Sequence, residues 1–313
     1  MISRAVQHLK SIYKLAEPRL PREITRRIRD WYATTPTKPH PTLVIVLDSC
    51  RYDSFVEAYN DDFPVSPTRA HSHAPWTLPS HEAIVRGGIP YASDGTGFAN
   101  DYPSTYVPLT RYHNTSWGVV SMGYLHNNWY IDSPTYRYFD RWEMPGEDAP
   151  VENKIDIAIQ CVDDADGSWF GLVNLSETHY PYGGRCDLSH DDLINKLADD
   201  ERDPNYETAH DWQISACRNC LDSIQRLVET VPPETNIIIT SDHGELFGEN
   251  GGYGHNYKRA AVFHEKLFEV PLLSWVKGTG NSTVRKDDTQ YSDDIPESVR
   301  ERLVATGYLE DST

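Results

Sequence analysis

The chain has 313 residues, enough for one large α/β domain with a sizeable core. Its 47 acidic against 29 basic residues give a net charge of −18, which argues against a nucleic-acid backbone as the main partner, since phosphate binding needs an excess of Lys and Arg. No stretch approaches the roughly 20 apolar residues of a membrane span, and the five scattered cysteines, Cys50, Cys161, Cys186, Cys217 and Cys220, read as reduced thiols rather than as a disulfide framework.

The charge is unevenly spread: residues 1–40 hold nine Lys or Arg and three acids, which leaves the rest of the chain at −24. Within that segment Ile2, Val6, Leu9, Ile12, Tyr13 and Ala16 recur at helical spacing, with Arg4, Lys10 and Lys14 on the polar side, and a second short helix is predicted over 22–32. Residues 1–32 therefore fit contact with an anionic membrane face or a protein partner, or plain docking on their own domain. With no continuous apolar signal core, the expected location is cytoplasmic, at most peripheral at the membrane inner face. The acidic remainder suits a soluble chain kept apart by self-repulsion, a device of halophiles.

From residue 41 the pattern changes. Thr42-Leu-Val-Ile-Val-Leu47 predicts a buried strand that empties into Asp48, and in Ala74-Pro-Trp-Thr-Leu-Pro-Ser-His81 the hydroxyl of Thr77 sits where a turn opens a helix near 80–86. Residues 91–142 gather Tyr112, Trp117, Tyr124, Trp129, Tyr130, Tyr136, Tyr138, Phe139 and Trp142, which either wall a pocket or pack in the core. Strands are predicted at 118–122 and 169–175, with a helix near 153–164 between them, and the polar stretch 183–207 reads as a solvated excursion. A helix over 208–230 carries Cys217-Arg-Asn-Cys220, whose redox or zinc spacing has no second pair to support it. Then Asn236-Ile-Ile-Ile-Thr-Ser-Asp-His-Gly-Glu245 predicts a buried strand delivering Asp242 and His243, residues of metal-ligand type, and a strand at 270–275 precedes a polar loop at 277–298.

Buried strands alternating with helices predict an α/β fold with a mainly parallel central sheet and helices on both faces. Ligands in such sheets collect at the carboxyl ends of the strands, the edge that Asp48 and Asp242 share. Three parts follow: a basic helical segment at 1–40, the main domain at 41–276, and a short acidic tail at 277–313.

Three segments in this order, Val44-Ile-Val-Leu-Asp-Ser-Cys-Arg-Tyr-Asp53, Trp76-Thr-Leu-Pro-Ser-His81 with Gly87, and Thr240-Ser-Asp-His-Gly-Glu245 with Gly254-His255, resemble the sulfatase-like branch of the alkaline phosphatase superfamily. His179-Tyr-Pro-Tyr182, Tyr138-Phe-Asp140 and Phe268-Glu-Val-Pro-Leu-Leu273 are weaker echoes of the same family. The resemblance implies a divalent metal held by Asp48, Asp242 and His243, with Thr77 coordinating the same ion and attacking phosphorus or sulfur. It implies also that His179 and His255 bind a second metal or stabilise the transferred group and the leaving oxygen. His81 stands where the sulfatase signature has an arginine; it and Arg51 are candidates for contacting substrate. Carboxylate and imidazole donors suit Zn²⁺ or Mn²⁺ better than Mg²⁺ or Ca²⁺, which prefer all-oxygen shells.

The departures matter for substrate choice. Thr77 stands where sulfatases carry a Cys or Ser that becomes formylglycine, and a secondary alcohol cannot give that aldehyde. Ser49 replaces a second Asp, and only about 38 residues follow the strand near 275, too few for the usual C-terminal subdomain. The expected activity is a metal-dependent hydrolase or transferase of phosphate esters, phosphodiester or phosphoglycan in type, on a small-molecule or glycan substrate. The alternatives are a sulfuric ester hydrolase of the same family and a non-catalytic scaffold on the same fold.

Overall fold

The computed structural model describes residues 40–86, 108–125, 138–184, 205–249, 252–255 and 264–279. The expected N-terminal helices, most of the excursion at 183–207, Cys186, Trp129, Tyr130, Tyr136 and the tail beyond 279 lie outside the described residues.

Seven strands form one sheet: β1 (Thr42–Leu47), β2 (Thr68–His71), β3 (Thr115–Val120), β4 (Arg141–Glu143), β5 (Trp169–Leu175), β6 (Asn236–Ser241) and β9 (Glu269–Val276), in the order β2-β9-β6-β1-β5-β3-β4. A hairpin of β7 (Leu246–Phe247) and β8 (Tyr253–Gly254) stands apart. The run β6-β1-β5-β3-β4 is parallel, whereas β9 pairs antiparallel with β6 and β2 antiparallel with β9. The sheet is therefore mainly parallel with a two-strand antiparallel edge. The strand expected at 118–122 starts at Thr115 and ends at Val120, since its parallel pairing with β5 runs from Thr115 opposite Trp169 to Val120 opposite Asn174.

Alternation along β1 explains the two covered faces. Leu43, Ile45 and Leu47 point to one side, where α1 (Tyr52–Ala58), α3 (Val151–Asp163) and α4 (Asn205–Thr230) supply Phe55, Ile155, Ala158, Leu221 and Ile224. Val44 and Val46 point to the other, against Val85 of α2 (Thr77–Arg86), Phe139 and Phe170. Cys217 and Cys220 are filler of the first core, and Cys50 Sγ lies 3.8 Å from Cys217 Sγ as a thiol contact. Among the described aromatics of 91–142, Trp117 packs on Trp169 and Phe139 on Trp142 and Phe170, so these are core residues. Tyr112 is exposed.

The Trp117 indole lies across Gly171 of β5: a Cβ there would meet its six-membered ring at 2.3 Å. Gly171→Ala is expected to destabilise by about 1–3 kcal/mol through overpacking, read as a lower urea midpoint at unchanged slope. An unchanged midpoint would show that the indole can move aside freely.

Candidate metal centre and nucleophile

The parallel pairing of β1 with β6 sets Leu47 opposite Ser241, so the next residues, Asp48 and Asp242, emerge side by side at the carboxyl edge. Both are buried. Ser49 turns the chain with φ +60°, a left-handed conformation uncommon outside glycine, and its amide donates to Asp242 Oδ1 at 3.0 Å. The His243 amide donates to the same oxygen at 2.9 Å. Gly244 is required by contact: a Cβ there would stand 1.9 Å from the Lys266 carbonyl oxygen.

Thr77 opens α2 beneath this edge, and its Oγ1 lies 3.3 Å from His243 Nε2. His243 Nδ1 is 2.8 Å from the Gly244 carbonyl, a group that can only accept, so Nδ1 carries the proton and Nε2 presents a lone pair. Asp242 Oδ2 lies 3.5 Å from that lone pair and has no hydrogen-bond donor among the described residues. One ligand atom each from Asp48, Asp242 and His243 falls within 4.8 Å of the others. Three buried electron-rich atoms facing one another repel, and a cation between them removes the repulsion. The residues thus fit a divalent metal. Burial, and after it the charge of Asp48, pushes the Asp242 carboxyl well above the usual range when no cation is bound.

The two further histidines converge on the same place. His243 and His255 have ring centroids 4.4 Å apart, and His179 lies 5.2 Å from His255. His255 Nδ1 is 3.1 Å from Glu245 Oε1. Burial alone would lower the His255 pKa, but the Glu245 carboxylate outweighs it and the value is raised. His179 Nδ1 donates to the Tyr180 carbonyl at 2.7 Å, leaving Nε2 to face outward from that bond. The His179 loop is anchored by Thr178, whose hydroxyl donates to the Asp48 carbonyl at 2.7 Å.

His81 lies fully buried one helical turn after Thr77, with Nδ1 2.9 Å from the Thr77 carbonyl and 3.5 Å from Asp242 Oδ2. Burial pushes its pKa down. Arg51 is engaged elsewhere: its guanidinium grips Asp53 through two bonds of 2.9 and 2.6 Å, meets Glu249 at 2.6 Å and lies over Phe247. It clamps the hairpin after His243 to the end of β1.

Several contributors escape sequence reading. Asn174, at the end of β5, donates to Asp48 Oδ2 at 3.1 Å; its only signal is a polar residue in an otherwise apolar strand. Gln213 of α4 donates to the carbonyls of Ser49 and Thr178, tying both loops together. Lys154 is buried with Nζ 2.7 Å from Glu177 Oε1 and 2.9 Å from Ser176 Oγ, which pins the start of the His179 loop to α3.

The chain matches the sulfatase family over residues 42–301. A low-salt glycan biosynthesis sulfotransferase, Agl7, of Haloferax volcanii is 25% identical over 237 residues, covering 75% of this chain and 54% of that protein. The chain thus spans about half the length of that curated relative. Among solved structures, the C-terminal periplasmic domain of EptC from Escherichia coli, in complex with Zn, superposes with a TM-score of 0.57 at 13% identity, covering 82% of this chain and 78% of that one. The corresponding domain of phosphoethanolamine transferase EptC from Campylobacter jejuni gives 0.51 at 15% identity, covering 77% and 80%. At such identities these two likenesses speak for the fold.

The clamp around Arg51 makes a pH prediction. Burial by itself would raise the Asp53 pKa, but Arg51, with Lys266 Nζ at 3.0 Å, holds it well below the usual carboxylate range. A depressed folded pKa gives stability that is present above the unfolded value, about 4, and is lost as pH falls toward the folded one. Asp53→Asn should lower the unfolding temperature at pH 7 and flatten its fall between about pH 4 and 2, the effect being modest because the carboxylate is partly exposed. An equally steep acid fall in the variant would remove Asp53 from this role.

Proposed function

Because the chain belongs to the sulfatase family, we propose that it is a metal-dependent enzyme transferring a phosphoryl group from an ester through Thr77. The observation that carries this reading is the Thr77 hydroxyl, 3.3 Å from the lone pair of His243 and beside a cluster whose Asp242 Oδ2 meets no donor among the described residues. Asp48, Asp242 and His243 would hold the ion, Zn²⁺ or Mn²⁺ by its donor set. Such an ion supplies a lowered pKa to a nearby hydroxyl and neutralises charge on the transferred group.

The chain's own residues do the rest. Thr77, held at the first turn of α2, forms the new bond to phosphorus as the ester oxygen departs, and its proton passes to solvent. In their protonated forms His255, tied through Nδ1 to Glu245, and His179, tied through Nδ1 to Tyr180, would donate from Nε2 to the non-bridging and leaving oxygens. Water or an acceptor alcohol then displaces Thr77. Phosphodiester or phosphoglycan substrates stand ahead of simple monoesters in this reading.

A second reading, transfer of a sulfuryl group to or from a glycan, is favoured by the name of the Haloferax relative. Its organism also agrees with a salt-adapted acidic surface. No helix among the described residues is long and apolar enough to cross a membrane; membrane or protein contact by residues 1–32, with a cytoplasmic location, belongs to the same proposal.

Thr77→Ala should keep the fold by circular dichroism yet lose about 10³-fold or more in turnover of aryl phosphodiesters, and quenching the wild type with labelled substrate should leave phosphate on Thr77. Full activity in the variant would sink the nucleophile. Side-by-side assays with aryl phosphate, aryl phosphodiester and aryl sulfate esters separate the two readings: turnover of the sulfate alone would replace the first by the second. Chelation should abolish turnover and added Zn²⁺ or Mn²⁺ restore it; a metal-free chain with undiminished activity would refute the metal assignment.

A further inference from the structure

The hydrogen bonds around Asn174 form a directed chain. The Met122 amide donates to Asn174 Oδ1 at 3.3 Å, which fixes the orientation of the side-chain amide and turns Nδ2 the other way. Nδ2 has two hydrogens and two neighbours: Asp48 Oδ2 at 3.1 Å and His81 Nε2 at 3.4 Å. A donor facing His81 Nε2 requires a lone pair there, so the ring proton sits on Nδ1. Nδ1 in turn faces the Thr77 carbonyl at 2.9 Å, an acceptor that confirms the same tautomer, and lies 3.5 Å from Asp242 Oδ2. Every residue in this hydrogen-bonded chain is buried.

We propose that Asn174 and His81 are positioning residues, a buried relay that fixes the Asp48 carboxylate and the first turn of α2 relative to each other. Neither touches the reacting atoms in this assignment. Asn174 joins β5 to the metal-ligating carboxylate of β1, and His81 joins Asn174 to the backbone of Thr77 and reaches toward Asp242. The relay is neutral throughout, so it orients two carboxylates without competing for them as a cation would. It rests on reading Asp48, Asp242 and His243 as metal ligands, but it holds for phosphoryl and sulfuryl transfer alike.

Two measurements on the full chain test it. Zn²⁺ affinity is read by competition with a chromophoric chelator, and kcat and KM by turnover of an aryl phosphodiester and an aryl sulfate. Asn174→Leu, close in size and without donors, should weaken Zn²⁺ binding by about 10–100-fold in protein that remains folded in chelator. Affinity equal to wild type would overturn the relay while leaving the metal reading intact, and a wild-type chain that binds no Zn²⁺ or Mn²⁺ would overturn both.

The second arm uses isosteres of each half of the imidazole and does not depend on Asn174→Leu folding. His81→Asn keeps a donor at the Nδ1 position but gives up the Asn174 contact, so it should fall below wild type in kcat yet lose less than a variant that gives up the Thr77 contact. His81→Gln keeps a polar atom only at the Nε2 position and should lose about tenfold or more in kcat with KM little changed, as expected when a nucleophile is misplaced. The opposite ranking, or equal retention by both variants, overturns the relay.

Discussion

Two carboxylates that emerge side by side from adjacent parallel strands, out of reach of water, are the constraint to which the rest of this architecture answers. Register dictates their proximity: once β1 and β6 pair with Leu47 opposite Ser241, Asp48 and Asp242 have nowhere else to go. An isolated buried carboxylate costs several kcal/mol, and a like charge beside it adds to the cost. The chain meets part of this with neutral donors, the Ser49 and His243 amides on Asp242 and the Asn174 amide on Asp48. The part it leaves unmet, Asp242 Oδ2 beside the lone pair of His243, is what a cation would complete.

The same constraint explains why so much loop is pinned so closely. Gln213 reaches from α4 to the carbonyls of both Ser49 and Thr178, Thr178 holds the Asp48 carbonyl, and Lys154 with Glu177 fastens the preceding turn to α3. On the other side, Ser72 donates to the Asp242 carbonyl and Gly244 lets the Lys266 backbone pass. Each bond is worth only about 1 kcal/mol net, but together they leave the ligand atoms little freedom. Preorganisation of this kind separates a usable centre from three acidic or basic residues that merely share a sheet edge.

Much of this is legible from the chain. Asp48, Asp242 and His243 follow β-branched apolar runs directly, and Thr77 opens a helix after Pro75, so pattern and chemistry point the same way. Less legible is anything that depends on register or direction. Asn174 reads as an ordinary residue of Trp169–Leu175 until Val46 is seen opposite it. The run at Glu269–Val276 reads as a strand, but nothing in an apolar run records that it lies antiparallel. Thr68–His71 is mostly exposed and Arg141–Glu143 has three residues, so neither carries a hydrophobic pattern. Arg51 sits in the motif beside Asp48, and only the fold reveals that Asp53 and Glu249 occupy its guanidinium.

Charge is closely balanced around the cluster. Two carboxylates and one divalent ion would sum to zero, so any further anionic group beside them would need compensation from the surrounding side chains. Among the described residues the nearby fixed cations are already matched: Arg51 by Asp53 and Glu249, Lys154 by Glu177, Lys266 by Asp53 and Glu269. His81 stands where the family signature has a permanent cation, and its hydrogen bonds require a neutral ring. The counter-charge still open beside the cluster therefore lies with titratable imidazoles, His255 above all, whose pKa the Glu245 carboxylate raises, rather than with a permanent cation.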